Sequence, residues 1–440
     1  MKSVKVVLMC GGIGKRMAPI TTDKALLKFL DKPLIVHQIN AAREAGISQF
    51  IIITNPENDA EIRSSLSDAK IGFALQEKPL GMADAILTAS DLIAGEPFIL
   101  VSSNDIFDAT AYTRLLREYG RNKDYSVYIS ARQVQSYFPG GYLVVNDHNE
   151  ISHIVEKPPR GQEPSNLINI ALHLHAQPEK LLKYLSSTTS TADDIYERSL
   201  DRMISDGQKI KAVTYGGAWK AIKYPWHILE TMDHFSKQLI KQISPKARIS
   251  DKAVIDSNVV IADNARVFEG AVIRGPSYIG HNTIIGNGAL VRDSFIGDDC
   301  VVGYGTEIKH SYIGNKCWFH SNYIGDSVIE DDCSFGAGAV TANFRLDEAN
   351  IKVRLGKDKV DTGTDKLGAF VGKGCRIGIH ASLMPGVRIG ANSFIGAQVY
   401  LIDDVESNKK VLAESHYRVM ANDTEISEDK RQQLLKKLSG

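Results

Sequence analysis

At 440 residues the chain is too long for one ordinary core, and 52 Lys plus Arg against 52 Asp plus Glu leave no summed charge to draw it to nucleic acid or an anionic membrane. Any phosphate recognition must therefore be local. Five cysteines (Cys10, Cys300, Cys317, Cys333, Cys375) without CxxC spacing argue against a disulfide framework and a zinc site, and no apolar run approaches the roughly 20 residues of a membrane span, so a soluble, cytoplasmic protein is expected.

From Val4 to about Val213, β-rich runs (VKVVLM, QFIIIT, PFILVS, YSVYIS, YLVV) alternate with helix-like segments such as Ile35 to Ala45 and Met82 to Ile93. That alternation predicts an α/β unit over 1–223 whose mostly parallel sheet is covered by helices. Tyr224 to Ser244 carries apolar residues at helical spacing behind Pro225, and reads as one helix within a connecting segment 224–245 that Pro245 ends.

The period then changes. Ile249, Ile255, Ile261, Val267, Ile273, Ile279, Ile285 and Val291 fall six residues apart, and the pattern resumes at Val371, Ile377, Leu383, Ile389, Ile395 and Leu401. Helices repeat at 3.6 and strands at 2, so a sustained six needs a coil of three short strands, each giving one inward aliphatic residue per hexad. This predicts a left-handed parallel β-helix over 246–404. An antiparallel sandwich is the alternative, although sandwiches do not hold a strict period of six. Between 292 and 340 the phase slips by single residues, as where turns change length. The charged stretch Arg345 to Lys366 reads as a loop leaving the coil. In the tail, 405–440, Leu434, Leu435 and Leu438 predict a terminal helix packing lightly on the β-helix.

Directly after the first strand comes Cys10-Gly11-Gly12-Ile13-Gly14-Lys15-Arg16-Met17, a glycine-rich turn with two cations that can aim backbone N–H groups at phosphate oxygens. It is not a Walker A loop, because Arg16 stands where Ser or Thr should follow the lysine, and Met17 occupies the third-glycine position of a dinucleotide fingerprint. On the glycines alone, a tight strand-to-helix turn explains it as well as a phosphate cradle. The longer string GGIGKRMAPITTDKALLKFLDKPLI, residues 11 to 35, resembles the signature of the sugar-1-phosphate nucleotidylyltransferases, and further blocks follow at Gln76 with Pro79 to Ala85, Glu156 to Pro158, and Ser165 to Asn169. The resemblance implies a Rossmann-like nucleotidyltransferase domain. It implies that Gly11, Gly12, Gly14 and Arg16 hold a nucleoside triphosphate, that Lys24 acts at the reacting α-phosphorus, and that Gln76 and Gly81 read the base. Gly141, Glu156, Lys157 and Asn169 would hold the sugar-1-phosphate.

That family carries Mg2+ on two aspartates, and here the chain departs from it. The first metal position reads Ser103-Asn104-Asp105, so Asp105 is displaced by one place or Asn104 substitutes for it. The second reads Trp219-Lys220-Ala221-Ile222-Lys223, where Ala221 has no ligand atom. Lys223 is either a replacement for the metal's charge or a structural change in an altered site.

A second constellation is Lys309, His320, Tyr323, Asn343 and Lys352. Acetyl transfer to an amino sugar needs a base for the ammonium proton, a donor for the oxyanion and cations for the phosphate, and these residue types supply all three. The blocks His320 to Asp326, Gly336 to Asp347 and Gly363 to Gly390 resemble the acetyltransferase half of the bifunctional glucosamine-1-phosphate acetyltransferase/uridylyltransferases. That resemblance implies His320 as general base, Tyr323, Asn343 and Lys352 on the amino sugar, Arg292 and Lys309 on its phosphate, acetyl-CoA as co-substrate, and a homotrimer with its clefts between neighbouring β-helices. Three readings stand: a bifunctional enzyme making a UDP-N-acetylglucosamine-type product, a glucose-1-phosphate thymidylyl- or uridylyltransferase with a structural β-helix, and a regulatory subunit with a degenerate metal site.

Overall fold

The computed structural model describes residues 4–66, 70–414, 416, 418–425 and 427–438. The first unit is built on a nine-stranded sheet. Ile71–Leu75, Gln49–Thr54, Lys5–Met9 and Phe98–Ser102 lie side by side and parallel. Helices cover both faces of these strands, which explains the uninterrupted apolar run Val6-Val7-Leu8, buried throughout. From Lys5–Met9 the chain builds outward on one side through Gln49–Thr54 and Ile71–Leu75, then returns to the other side at Phe98–Ser102. The loops after Lys5–Met9 and Phe98–Ser102 thus diverge, and the crevice between them is where open α/β sheets bind ligands.

Beyond Phe98–Ser102 the sheet turns antiparallel at Leu167–His175, which pairs in turn with Val127–Gln133. Ile210–Thr214 closes that edge in parallel, and the hairpin Gly141–Val145 with Ile151–Glu156 is joined at Tyr142 and Ile168. The helix expected from Met82 to Ile93 is split into Met82–Thr88 and Ser90–Ile93, because the Ala89 amide tightens onto Ile86 O at 3.1 Å.

The linking helix is also shorter than its periodicity suggests, spanning only His227–Ser236. At its start the Lys223 amide donates to His227 Nδ1 at 3.1 Å and Tyr224–Trp226 form a turn. At its end the chain is captured by the coil before Pro245 is reached, since Gln242–Ile243 already pairs with Val260 and Ile261. At the far end, Ile395 pairs with Val411, so the coil also continues past residue 404.

The coil is three parallel sheets of eight, nine and eight strands. Parallel pairing throughout excludes the antiparallel sandwich. The register explains the slips in phase: Ile273 to Val291 is eighteen positions, Val291 to Ile308 seventeen, and Ile308 to Ile324 sixteen. A turn loses a residue while the inward aliphatic stays in its column. Ile261 through Phe335 are fully buried at the expected positions, each contributing about 1.5–3 kcal/mol. Ile249 and Ile255 are only partly buried because they lie near the coil's open end. The cysteines are free and buried. Cys300, Cys317, Cys333 and Cys375 fill one corner, each thiol donating to a carbonyl of the next coil, as from Cys300 to Gly314 O at 3.2 Å.

Residues 343–367 leave the coil as expected, but as a hairpin, Lys352–Leu355 with Asp358–Asp361. Its Ile351 and Val353 join an apolar seam between the two units, where Phe29 stacks on Phe235 at 5.1 Å and Met17, Leu27 and Trp226 meet Tyr278, Phe295, Tyr312 and Phe370. The terminal helix exists, Glu428–Leu438, but does not pack as expected: Leu434, Leu435 and Leu438 are 62, 61 and 78% exposed. A helix this polar has too little apolar face to bury. No helix among the described residues is long and apolar enough to cross a membrane.

Candidate active sites

The crevice between the two diverging loops opens into a cleft of about 610 Å³. One wall is the glycine loop. Gly14 (φ 58°) takes the left-handed conformation that starts the single turn Lys15–Met17. Gly11 permits a close approach, since a Cβ there would sit 2.2 Å from Gln76 Oε1. Gln76 is buried and donates to Gly81 O at 3.1 Å and Asp84 Oδ2 at 2.8 Å, so its carbonyl end is held against Gly11. Below the loop, Asn58 donates to Cys10 O at 2.8 Å and Asp23 Oδ2 at 2.9 Å, and Asp23 caps the Ala25 amide at 2.8 Å. This fixes Lys24 at the cleft floor, where burial pulls its ammonium below the usual lysine range.

Opposite stand Glu156, Lys157 and Lys223. Gly141 makes room there, because its Cβ would lie 2.9 Å from Glu156 Oε2 and 3.6 Å from Asn169 Cβ. Lys157 pairs with Glu156 at 3.2 Å. Burial lowers the Lys223 ammonium, which lies 4.3 Å over the Phe138 ring. Arg16, Lys24, Lys157 and Lys223 thus face one space, suited to a polyanion.

Asp105 and Ala221 are register partners in the ribbon Asp105–Phe107 with Trp219–Ala221. Asp105 is buried behind Asn104, which lines the cleft, and its Oδ1 accepts from Trp219 Nε1 at 2.6 Å. Burial raises this carboxyl to about 6 despite the Trp219 hydrogen bond and the Lys223 and Lys24 charges. The amide oxygen of Asn104 already accepts from Ser102 Oγ at 2.5 Å.

On the β-helix, Arg292, Lys309 and Gly325 stack in register on successive coils. Lys309 meets the buried Asp326 at 2.9 Å, and Asn343 donates to the same carboxylate and to Tyr323 Oη at 3.2 Å. Asp326 also takes His310 Nδ1 at 2.8 Å, and its charge with that of Asp233 lifts His310 to about 9 against burial. Arg292 is held by Glu307 at 2.6 Å. His320 stands exposed at the coil corner three residues before Tyr323, and Lys352 lies exposed on the hairpin. Lys309, Tyr323 and Asn343 are therefore gathered around one carboxylate, whereas neither His320 nor Lys352 is joined to them by a hydrogen bond or ion pair among the described residues.

A nucleotidyl transferase family model matches residues 5–229, a GMPPB C-terminal domain matches 240–346, and six bacterial transferase hexapeptide repeats match 368–403. "Bifunctional protein GlmU" of Methanococcus maripaludis is 32% identical over 92% of this chain and 96% of its own length. The "bifunctional sugar-1-phosphate nucleotidylyltransferase/acetyltransferase" of Sulfurisphaera tokodaii is 30% identical over 88% and 94%. The chain belongs to the bifunctional nucleotidyltransferase/acetyltransferase family. Its β-helix is the left-handed hexapeptide type and its first unit the Rossmann-like nucleotidyltransferase.

For this nucleotidyltransferase, the ribbon does not fit a resident two-carboxylate Mg2+ site. Mg2+ is held by one or two carboxylates plus substrate oxygens. Here Ala221 offers no atom, the buried Asp105 has Oδ1 taken by Trp219 and Oδ2 by Asn104 Nδ2 at 3.3 Å, and the Asn104 oxygen is engaged by Ser102.

Several residues around the sites carry no sequence signal. Glu197, at the cleft edge, is pushed up to about 7 by burial, with Glu156 and Asp193 nearby. Glu330, buried in the β-helix, accepts from the amides of Thr21 at 2.9 Å, Thr22 at 2.8 Å and Lys373 at 3.0 Å, and from both threonine hydroxyls. His173 and Tyr196 pack behind Asn169. Asp326 and Trp219, by contrast, fall within the family-like blocks His320 to Asp326 and Trp219 to Lys223.

Proposed function

We propose that this chain makes a nucleotide sugar with two sites, acetylating glucosamine-1-phosphate on the β-helix and transferring a nucleotidyl group from UTP or dTTP to a sugar-1-phosphate in the α/β cleft. The observation that carries the reading is the convergence of Arg16, Lys24, Lys157 and Lys223 on one cleft at the sheet's switch point. In nucleotidyl transfer a sugar-phosphate oxygen attacks the α-phosphorus, its P–O bond forms as the bond to the β-phosphate oxygen breaks, and pyrophosphate leaves. No covalent enzyme intermediate is required, so positioning and charge neutralisation carry the catalysis. Glycine-loop amides and Arg16 bind the triphosphate, Gln76 and Gly81 flank the base, and Lys24 offsets charge at the α-phosphorus. Lys157, Lys223, Glu156, Gly141 and Asn169 receive the sugar phosphate. Asp105 balances Lys24 and Lys223 from behind.

On the β-helix, His320 takes the ammonium proton, the freed amine attacks the acetyl thioester, and the CoA thiolate departs. Tyr323, Asn343, Lys309, Arg292 and Lys352 hold the amino sugar phosphate. A homotrimer completes the cleft, and exposed Trp318 (52%) and Phe394 (50%) on one coil face are apolar surface for such packing. A cytoplasmic location follows from the buried, free thiols.

The second reading, nucleotidyl transfer with a structural β-helix, is favoured by the engagement of Arg292 with Glu307 and Lys309 with Asp326, which a phosphate must displace. A panel of triphosphates and sugar phosphates, read by pyrophosphate and CoA release, decides. CoA release with glucosamine-1-phosphate that His320→Ala abolishes supports the bifunctional reading. Pyrophosphate release without any CoA release supports the second, and neither release overturns both.

A further inference from the structure

Behind the sugar-facing wall of the cleft, four side chains form one row. Asn169 Oδ1 lies 2.6 Å from His173 Nε2, His173 Nδ1 lies 2.6 Å from Tyr196 Oη, and that hydroxyl lies 3.0 Å from His175 Nε2. Both imidazoles are buried, and the row ends at His175 Nδ1, a buried atom without a partner. At the other end, Asn169 is only half-buried, and its Nδ2 donates to none of the described residues.

Burial keeps both rings neutral, lowering His173 to about 3 and His175 well below the ordinary range. Each ring then has one N–H and one bare nitrogen, so the row admits two proton orders. In one, His175 carries its proton on Nδ1, leaving an N–H buried with no acceptor. Tyr196 then donates to His175, His173 donates to Tyr196, and the Asn169 amide must flip to donate inward. In the other, His175 Nε2–H donates to Tyr196, Tyr196 O–H donates to His173 Nδ1, and His173 Nε2–H donates to Asn169 Oδ1. Only a lone pair is then left bare at the buried end. Orphaned buried N–H groups are rarer than under-used acceptors, which selects the second order.

We propose that His173, backed by Tyr196 and His175, is a positioning residue that locks Asn169 with its oxygen inward and its NH2 outward, on the side of Gly141 and Glu156. Gly141 brings Glu156 alongside. A donor-only amide beside an acceptor-only carboxylate recognises a sugar edge carrying an acceptor next to a hydroxyl donor. This rests on the reading of this wall as the sugar-1-phosphate site.

Two measurements test it. In the intact protein labelled with 15N-histidine, with resonances assigned through His173→Phe and His175→Phe, both ring protons are expected on Nε2 between pH 6 and 8. A proton on Nδ1 of either ring overturns the proposal. In equilibrium binding, His173→Phe is expected to weaken glucose-1-phosphate and glucosamine-1-phosphate about tenfold, the scale of one lost hydrogen bond to a polar ligand, while UTP binding stays within about twofold. Equal weakening of sugar phosphate and UTP also overturns it, because that marks a loosened fold. Were wild-type protein to show the Nε2 protons yet bind no sugar-1-phosphate, the reading of the wall would fail, and the ligand assignment with it.

Discussion

Glu330 offers the most direct test of how the β-helix supports the nucleotide site. Its Oε1 accepts from the Thr21 and Thr22 amides and the Thr22 hydroxyl, and its Oε2 from the Thr21 hydroxyl and the Lys373 amide. The segment so held leads through Asp23 directly into Lys24. Glu330→Ala strips three backbone N–H groups of their acceptor in a buried seam. Bonds to a charged acceptor are worth about 1.5–3 kcal/mol each, but bonds to one group do not add, so a loss of about 3–5 kcal/mol is expected. Glu330→Gln is milder. With its carbonyl oxygen on the Oε1 side it keeps both threonine amides, and its NH2 then faces the Lys373 N–H. That single donor–donor conflict costs about 1.5–2 kcal/mol. Denaturant midpoints measure both variants, and pyrophosphate release should fall at least tenfold for Glu330→Ala with CoA release at the β-helix unchanged. Glu330→Gln as damaging as Glu330→Ala, or pyrophosphate release unaffected by either, would refute the reasoning.

Gly11→Ala places a Cβ 2.2 Å from Oε1 of the buried Gln76, whose NH2 is tied to Gly81 and Asp84, so we expect a stability loss of about 1–3 kcal/mol and a tenfold or larger rise in KM for the triphosphate, measured by initial rates. Glu197 holds its proton more tightly folded than unfolded, at about 7 against an ordinary 4.5. The native state therefore binds more protons between those values, and stability falls as pH rises through that window. Glu197→Gln should flatten the fall by about 1–2 kcal/mol in denaturant titrations at pH 4.5 and 7.5, after allowing for its partial exposure. Lys223→Met should raise KM for the sugar phosphate more than for the triphosphate, because Lys223 neighbours Glu156 and Lys157, and an equal rise in both would contradict that placement.

What was legible in the sequence follows from the range of the interactions involved. The β-helix was readable because its core is written locally: every sixth residue points inward whatever the rest of the chain does, and even the slips at Ile308 and Ile324 are single-turn events. The glycine loop was readable for a related reason, since Gly14 is demanded by its own backbone angle. The connecting helix was overestimated because helical spacing in Leu239 and Ile240 competes with strand pairing at Gln242–Ile243, which draws on residues eighteen positions later. The terminal leucines were overestimated too, as three apolar side chains on a charged helix do not ensure a docking surface. Glu330 marks the opposite limit. Its partners Thr21 and Thr22 lie 309 and 308 residues away, and a glutamate between Ile329 and Asp331 looks like any polar turn residue of the coil. Asp105 joins Glu330 at this limit: the strand Phe98–Ser102 before it could be read, but the tryptophan that claims its carboxylate lies 114 residues on. Short-range periodicity therefore specifies where the two sites stand, while the groups that set their charge and rigidity come from contacts that only the folded seam creates. Substitutions at hexad positions should accordingly be felt as stability, those at Lys223 as chemistry, and those at Glu330 as both.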